Sequence, residues 1–415
     1  MHTSAFAELE APTAFNSEGG EGGTTLGRVR FRDDHRAVSV DLDARRRHLY
    51  IVGRTGVGKS TLLLNLLLAD LQAGRGVGLL DPHGDLAERV LAAVPHPRTN
   101  DVVVFDPSDE SYAVGFNPLA CFDPARRDLV ADDVVSAFAK VYDFSQTPRL
   151  KDTLRNALYV LIEQEETLVS LLLLLSDTAY RERVVRTVDD DVARLFWERE
   201  FPGWNERYRT EALSAIQNKV RPFLMNKNIR AIVGQKGRTL NLRQVMDEGK
   251  VLVANLSKGR IGEDNANLLG SLLVTSLQQA AMSRANIPEE QRRDFFLTVD
   301  EFQNYRTGSF ASILSEARKY RLSLTVAHQY LQQLDSQTAA AVFGNVGSLI
   351  TFQVGGEDAE VLAPQLSQFP GQVRPADLSN LPKYTAYARL LIGDLPSRPF
   401  SLQTDLPPQI TDSSD

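Results

Sequence analysis

The residues with the clearest chemical pattern lie at positions 53–61, where the sequence reads GRTGVGKST. This stretch fits the spacing GxxxxGK[ST], with Gly53, Gly58, Lys59 and Ser60 at the fixed positions. It follows the apolar run LYIV and precedes TLLLNLLLADLQ, so it joins a predicted strand to a predicted helix. Glycines let backbone N–H groups surround a phosphate, and a helix N-terminus adds partial positive charge. The pattern predicts a nucleotide-phosphate site, although a Gly-rich turn could match it by chance.

Each polar residue of this loop has an expected task. Lys59 is expected to reach the β- and γ-phosphates, and the Ser60 hydroxyl is expected to bind Mg²⁺. Thr61 is predicted to touch the α-phosphate, and Thr55 and Gly56 complete the predicted phosphate cradle. The sequence therefore predicts ATP and Mg²⁺ as ligands.

A second candidate group is the acidic pair Asp300 and Glu301, which ends the apolar run FFLTVDE. Ligands of open α/β sheets bind at the carboxyl ends of strands, so we expect Asp300 to hold Mg²⁺. Glu301 is predicted to orient and polarise the attacking water as a general base. The alternative is an exposed acidic pair at a strand end. Asn218-Lys219 and Asn226-Lys227 lack the aspartate of the guanine-selecting tetrad NKxD, which favours ATP over GTP.

The elements predicted around these groups are those of an α/β fold. Short apolar strands recur, and helical patterns separate most of them, which indicates a mostly parallel sheet covered on both faces. The predicted strands are LYIV, GVGLLD, DVVVFD, VLVAN, FFLTVD, LSLTVA and SLITFQV. The stretches VRF and AVSV predict a short hairpin in front of them.

Five segments are predicted along the chain. Residues 1–26 contain EGGEGG and few apolar residues, so we expect a flexible arm, and the Pro-, Ser- and Asp-rich residues 396–415 predict a flexible tail. Residues 123–234 have Leu, Ala, Glu and Arg at helical spacing, which predicts an all-α insertion. The insertion divides the main domain into residues 27–122, with the glycine-rich loop, and residues 235–395, with the acidic pair.

The composition limits the class of protein. The chain has 415 residues and a formal net charge of −7, so any contact with DNA must be local. The single cysteine, Cys121, excludes an intrachain disulfide and favours a reducing compartment, by default the cytoplasm. The six histidines show no zinc-ligand spacing, and no apolar run is long enough to predict a membrane span.

Several longer stretches extend the pattern beyond these motifs. They are GRTGVGKST at 53, LLDPHGDLAERV at 79, VVFDPSD at 103, GFNPL at 115, VLVANLSKGRIGEDNANLLGSLL at 251, VDEFQNY at 299, ARKYRLSLTVAHQYLQQL at 317 and GNVGSLITFQVGGEDAE at 344. With them the chain resembles, from Gly27 to about Pro407, the HerA/FtsK branch of P-loop ATPases. The resemblance is strongest to the TraG/TraD-type coupling ATPases of conjugative type IV secretion.

This resemblance implies a RecA-like motor domain with an all-α insertion, assembly into a homo-hexameric ring, and ATP-driven movement of DNA through the pore. It also implies that Gln329, in TVAHQ, senses the γ-phosphate, although an ordinary strand-end amide is the alternative. Arg318 falls where such rings place a finger that reaches the neighbouring subunit's ATP. Lys319 and Arg321 are competing candidates, and a solvated helix charge is the other interpretation.

Two departures from the family pattern accompany this resemblance. Conjugative coupling proteins usually have N-terminal membrane helices, which this sequence does not predict. Many relatives have a basic residue where this chain has Gln353, so a catalytic or DNA-contacting role at that position is in doubt. Lys258 and Arg260, in SKGRIGED after a strand end, are candidate DNA-facing cations, with a flexible surface loop as the alternative.

Two functions are compatible with these features. The first is a cytoplasmic, ring-forming DNA translocase, and the second is an ATP-dependent assembly or recruitment switch without processive DNA movement. The partner classes expected are a relaxase, a nuclease or a secretion channel. The sequence leaves open whether the DNA is single- or double-stranded, which way it moves, and whether the context is conjugation, repair or phage defence.

Overall fold

The computed structural model describes residues 6–15, 22–142, 144, 148–237, 239–305, 307 and 310–407. Within this part of the chain, eleven strands form one sheet and two short strands form a separate hairpin. The strands are β1 (Thr24–Val29), β2 (Ala37–Val40), β3 (Leu49–Val52), β4 (Gly76–Asp81), β5 (Val102–Phe105), β6 (Val251–Asn255), β7 (Phe295–Val299), β8 (Leu322–His328), β9 (Ser348–Thr351), β10 (Thr385–Arg389), β11 (Leu391–Ile392), β12 (Leu395–Pro396) and β13 (Phe400–Thr404).

Helices lie between most of these strands, and one long helical segment, residues 127–247, separates β5 from β6. They are α1 (Leu42–Arg46), α2 (Lys59–Gln72), α3 (Asp85–Ala92), α4 (Arg127–Tyr142), α5 (Pro148–Glu163), α6 (Leu168–Ser176), α7 (Thr178–Val185), α8 (Asp191–Leu195), α9 (Phe201–Gly203), α10 (Glu206–Met225), α11 (Lys227–Val233), α12 (Leu242–Asp247), α13 (Lys258–Ile261), α14 (Glu263–Ser283), α15 (Phe310–Glu316), α16 (Ser336–Asn345), α17 (Gly356–Leu366) and α18 (Pro375–Ser379). No helix of the described residues has both the length and the apolar character needed to cross a bilayer.

The large sheet has the strand order β2-β1-β13-β10-β9-β3-β8-β7-β4-β6-β5. The seven strands from β9 to β5 are parallel, and the other four extend the sheet in antiparallel fashion. Six of the parallel strands, all except β5, are buried at every position, as expected when helices cover both faces. The predicted mostly parallel α/β sheet is confirmed, and the predicted hairpin is the β1–β2 pair.

Alternate residues of the strands supply two cores, one on each face of the sheet. In β3, Leu49 and Ile51 pack with α2 and α3, whereas Tyr50 and Val52 belong to the core shared with α14 and the helical segment. The loops that follow β3, β4, β7 and β8 lie together at the carboxyl end of the parallel strands, because these strands point in the same direction.

The all-α insertion is confirmed between β5 and β6. Several of its helices begin at an Asp or Asn whose side chain accepts a hydrogen bond from the first-turn backbone, the preferred N-cap arrangement. These residues are Asp177, Asp190, Asn205 and Asn226. Its apolar residues share one core with α14, so the insertion is packed onto the sheet domain.

The prediction of a flexible arm over residues 1–26 is wrong for the described residues 6–15. Phe6, Ala11 and Phe15 are buried, and the backbone of Leu9 accepts a hydrogen bond of 3.0 Å from the N–H of Ser401. A segment this short cannot form a core alone, but the antiparallel end of the sheet supplies the surface on which its apolar side chains are buried.

The predicted flexible tail over residues 396–415 is also wrong in its described part. Residues Phe400–Thr404 form β13, which pairs with both β1 and β10 inside the sheet. The alternation in FSLQT was a local strand signal, and the Pro-rich flanks concealed it. Residues 1–5, 16–21 and 408–415 of the two predicted segments lie outside the described residues.

Candidate active site

The glycine-rich loop connects β3 to α2 with backbone angles that favour glycine. Gly58 has φ of 121°, and a Cβ built there would lie 2.8 Å from Cδ1 of Tyr384. Gly56 has φ of 80°, in the left-handed region. The loop can therefore follow its curved path from β3 to α2 only because these two positions have no side chain.

Lys59 begins α2 and is buried at the base of this loop. Its ammonium group donates hydrogen bonds to the carbonyl oxygens of Gly53 at 2.5 Å and Arg54 at 2.9 Å. Burial lowers the pKa of Lys59, although the nearby Glu301 and Asp300 oppose this by favouring the charged form. The lysine thus lies between the loop and the acidic pair, where an anionic phosphate would be balanced by its charge.

Asp300 and Glu301 follow β7 directly and are both buried. The pKa of Asp300 is raised to about 7, mainly by burial and also by the neighbouring carboxylates of Glu301 and Asp81. A hard divalent cation would stabilise this concentration of negative charge, and Ser60 contributes a hydroxyl to the same cavity. The residues present therefore fit Mg²⁺ held by Ser60, Asp300 and the phosphates of a nucleotide.

Glu301 connects the acidic pair to the loop through a chain of hydrogen bonds. Its Oε1 accepts a hydrogen bond of 2.6 Å from Nε2 of Gln329, and its Oε2 accepts one of 2.7 Å from Nε2 of Gln303. The Thr55 hydroxyl donates to Oε1 of Gln329 at 3.0 Å. A change at the loop can therefore reach Glu301 through one amide side chain.

The loop, the acidic pair and Gln329 line one cavity of about 230 Å³. The structure thus brings together most of the predicted site residues. Those that line the cavity are Thr55, Gly56, Gly58, Lys59, Ser60, Thr61, Asp300, Glu301 and Gln329. Gly53 lies at the start of the loop, where a Cβ would come within 2.6 Å of Cβ of Phe352.

Four residues near this cavity were missed by the sequence analysis. His83 follows Asp81, whose carboxylate accepts hydrogen bonds from the backbone N–H groups of His83 and Ala87. The position of His83 could have been inferred from the strand end LLDPHGD.

Lys383 and Tyr384 have no signal in the local sequence, because they reach the loop only through the position of β10. The Tyr384 backbone N–H donates to the carbonyl of Val57 at 2.8 Å. Gln303, the fourth residue, is the donor to Glu301 described above.

Arg318 lies far from the cavity of its own chain. It is exposed in a 3₁₀ turn, Ala317–Tyr320, that precedes β8, whereas Gln329 follows the end of that strand. Seven strand residues separate the two positions by roughly 20 Å. Of the two competitors, Lys319 is also exposed, whereas Arg321 pairs with Glu289 and Asp294 at 3.8 Å.

Lys258 and Arg260 lie on the short helix α13 and not in a loop. Their nearest acidic partners are Glu263, at 3.8 Å from Lys258, and Glu88, at 3.6 Å from Arg260. The helix follows β6, at the same edge as the cavity but two strands away from β7. These cations therefore lie beside the candidate active site without lining it.

A family model described as "Helicase HerA, central domain" matches residues 24–277, which is more than half of the chain. The chain belongs to the HerA family. The sequence-based assignment to the HerA/FtsK-type P-loop ATPases is thereby confirmed. No curated protein matches this HerA-family chain.

Solved structures share the fold of this HerA-family chain. The plasmid coupling protein TrwB, in complex with the non-hydrolysable ATP analogue ADPNP, has a TM-score of 0.66 at 20% identity, with 99% of this chain and 97% of TrwB covered. TrwB in complex with ADP and Mg²⁺ has a TM-score of 0.65 at 18% identity, with 99% and 96% covered. VirB4 of Thermoanaerobacter pseudethanolicus has a TM-score of 0.60 at 15% identity, with 96% and 100% covered. These likenesses confirm the RecA-like fold.

Proposed function

We propose that this HerA-family ATPase is a DNA translocase that forms a homo-hexameric ring and hydrolyses ATP to move DNA through its pore. The observation that carries the proposal is the cavity in which the glycine-rich loop, the buried acidic pair and Gln329 meet. The matched TrwB structures, which contain ADPNP or ADP with Mg²⁺, support ATP and Mg²⁺ as the ligands of this cavity.

In the proposed reaction, water attacks the γ-phosphorus and the bond to the ADP oxygen breaks. Glu301 accepts the proton of the attacking water, and Lys59 stabilises the negative charge that spreads over the β- and γ-phosphate oxygens. Gln329 is proposed to detect the γ-phosphate, and the contacts of its amide with Thr55 and Glu301 support this role. Ser60 and Asp300 would hold Mg²⁺, which would supply Lewis-acid polarisation of the phosphate oxygens.

The nucleotide site is tested by two substitutions with different expected effects. Lys59→Ala is expected to abolish tight ATP binding, because the phosphates lose the loop's only lysine. Glu301→Gln is expected to retain ATP and Mg²⁺ while hydrolysis falls by orders of magnitude, since the amide cannot accept a proton. Nucleotide titration and steady-state ATPase assays measure both, with Lys151→Ala, on the exposed side of α5, as a control. Normal turnover of Glu301→Gln would remove that residue from the mechanism.

The second candidate function, an ATP-dependent assembly or recruitment switch for a partner such as a nuclease, uses the same site. A motor is expected to show ATPase activity that DNA stimulates severalfold, whereas a switch is expected to hydrolyse slowly and to ignore DNA. Ring formation, a relaxase, nuclease or secretion-channel partner, and a cytoplasmic location remain proposals. The requirement for ATP and the single cysteine support the location inside the cell.

The DNA contact is proposed to involve Lys258 and Arg260. Reversal of both charges is expected to weaken DNA binding and DNA-stimulated ATPase activity while basal hydrolysis survives. Each phosphate contact that is lost lowers the number of counterions released on DNA binding by about one. Loss of two contacts is therefore expected to flatten the slope of log affinity against log salt concentration by about 2. The double variant Arg28→Glu/Arg186→Glu is a control with the same net charge, because both arginines are exposed and distant in sequence from α13. Unchanged affinity and slope would place the DNA path elsewhere.

A further inference from the structure

The two carboxylate oxygens of Glu301 are held by amides of different character. Gln329 lines the cavity, is half-buried, and also contacts the loop through Thr55. Gln303 is buried and does not line the cavity. One donor is therefore exposed to a ligand in the cavity, and the other is shielded from it.

The turn that contains Gln303 is anchored firmly in the core. Phe302 is fully buried, with its ring 5.1 Å from that of His328 and 5.2 Å from that of Phe310. The Asn304 N–H donates to the carbonyl of Glu301 at 3.0 Å, which closes the 3₁₀ turn Phe302–Asn304. The Gln303 amide thus has a defined position relative to Glu301.

The polar atoms of Gln303 point to a specific use. Its Nε2 donates to Glu301, whereas its Oε1 is buried without a hydrogen-bond partner among the described residues. A buried amide that leaves one atom unpaired costs free energy, so a purely structural role is poorly served by glutamine at this position. Glu301 itself has φ of 48°, a left-handed conformation that is unfavourable for a residue with a side chain.

We propose that Gln303 is a positioning residue that holds Oε2 of Glu301 while the nucleotide controls Oε1 through Gln329. A γ-phosphate in the cavity competes for the Gln329 amide, because an anionic phosphate oxygen is a strong acceptor. Oε1 then becomes free to accept the proton of the attacking water. The hydrogen bond from Gln303 to Oε2 keeps the carboxylate oriented toward that water. The proposal rests on the proposed function, since it requires Glu301 to be the base.

The test uses Gln303→Leu, which keeps the size of the side chain and removes the donor. Loss of one hydrogen bond to a charged group is expected to lower kcat by about 10- to 100-fold, with ATP affinity and KM within about twofold of wild type. Asn304→Ala, in the same turn but without contact to the Glu301 carboxylate, is expected to leave kcat within about twofold. Unchanged kcat in Gln303→Leu overturns the proposal.

A double variant separates positioning from a structural effect. In the Glu301→Gln background, Gln303→Leu is expected to cause no further loss in the single-turnover rate, because its effect passes through the missing carboxylate. An additive further loss overturns the proposal. If Glu301→Gln alone keeps normal turnover, the assignment of the base fails and the proposal fails with it. If Gln303→Leu does not fold, as judged by circular dichroism, Gln303→Asn carries the same test, because it keeps the amide but shortens its reach.

Discussion

Asp300 illustrates at the scale of single residues how burial prepares this site for a cation. Its carboxyl group is buried beside Glu301 and Asp81, and its pKa rises from 3.8 to about 7. Ionising such a group in the folded protein costs free energy that the unfolded chain does not pay. The same crowding of like charges that would favour Mg²⁺ should therefore destabilise the fold when no cation is bound.

This cost predicts a pH-dependent effect of Asp300→Asn in the presence of EDTA. Because the folded-state pKa is raised, the wild type binds its proton more tightly when folded and loses stability as pH rises from about 4 to about 7. The free energy of unfolding of Asp300→Asn should therefore exceed that of the wild type increasingly over this range, by at most about 4 kcal/mol above pH 7. Urea unfolding at pH 5, 6, 7 and 8 measures the difference. Parallel pH profiles would contradict the buried-charge argument.

At the scale of elements, the helix α14 supports the acidic turn through one close contact. Gly270 lies in α14, and a Cβ built there would come within 2.3 Å of Cδ1 and Cε1 of Tyr305. Tyr305 is fully buried and follows the turn that holds Gln303. The helix can approach the turn this closely only because position 270 has no side chain.

Gly270→Ala is therefore expected to destabilise the protein by about 1–3 kcal/mol, the cost of overpacking a core. The matched control is Gly344→Ala, in the exposed part of α16, where a Cβ would meet no atom within 4 Å. That variant is expected to stabilise the protein by up to about 1 kcal/mol, since alanine favours the helix. Thermal denaturation compares the two. Shifts of the same sign would show that the contact with Tyr305 is not tight.

At the scale of the whole molecule, the parallel sheet separates Arg318 from the cavity of its own subunit. Strand β8 lies between them, so Arg318 is at the amino end and Gln329 at the carboxyl end of the parallel strands. A head-to-tail ring joins two different surfaces of the subunit, so the end of the sheet with Arg318 can face the cavity of the next subunit. Arg318 could then contact a γ-phosphate only in the cavity of a neighbouring subunit.

The expected result for Arg318→Ala is intact ATP binding with turnover reduced about 10³-fold or more, the scale on which a guanidinium stabilises phosphoryl transfer. Lys319→Ala is measured in the same assay as the competing candidate, since Lys319 is one residue away and also exposed. Mixing Arg318→Ala with Glu301→Gln subunits should recover part of the ATPase activity, because some interfaces then contain both intact residues. If mixed rings form and remain inactive, Arg318 does not act across the interface, and Lys319 and Arg321 become the candidates.

The sequence by itself determined the parts of this protein that depend on local order. The loop GRTGVGKST, the acidic strand end VDE and the all-α insertion all follow from short-range patterns, because phosphate-binding turns, strand ends and helices are built from neighbouring residues. The same reasoning failed where a segment packs against a surface that residues distant in sequence supply. Residues 6–15 and 400–404 are too short to bury their apolar side chains by themselves, yet both are packed on the sheet.

Only the tertiary structure decided which distant residues meet at the site. Tyr384 reaches the loop because β10 pairs with β9 beside β3, a register that no local pattern encodes. Gln303 is close to Glu301 in sequence, but its role depended on the left-handed turn and on the packing of Phe302. The raised pKa of Asp300 likewise depends on burial beside Asp81, which comes from another strand. Such features arise from the way the chain packs, because desolvation and long-range contacts exist only in the folded molecule.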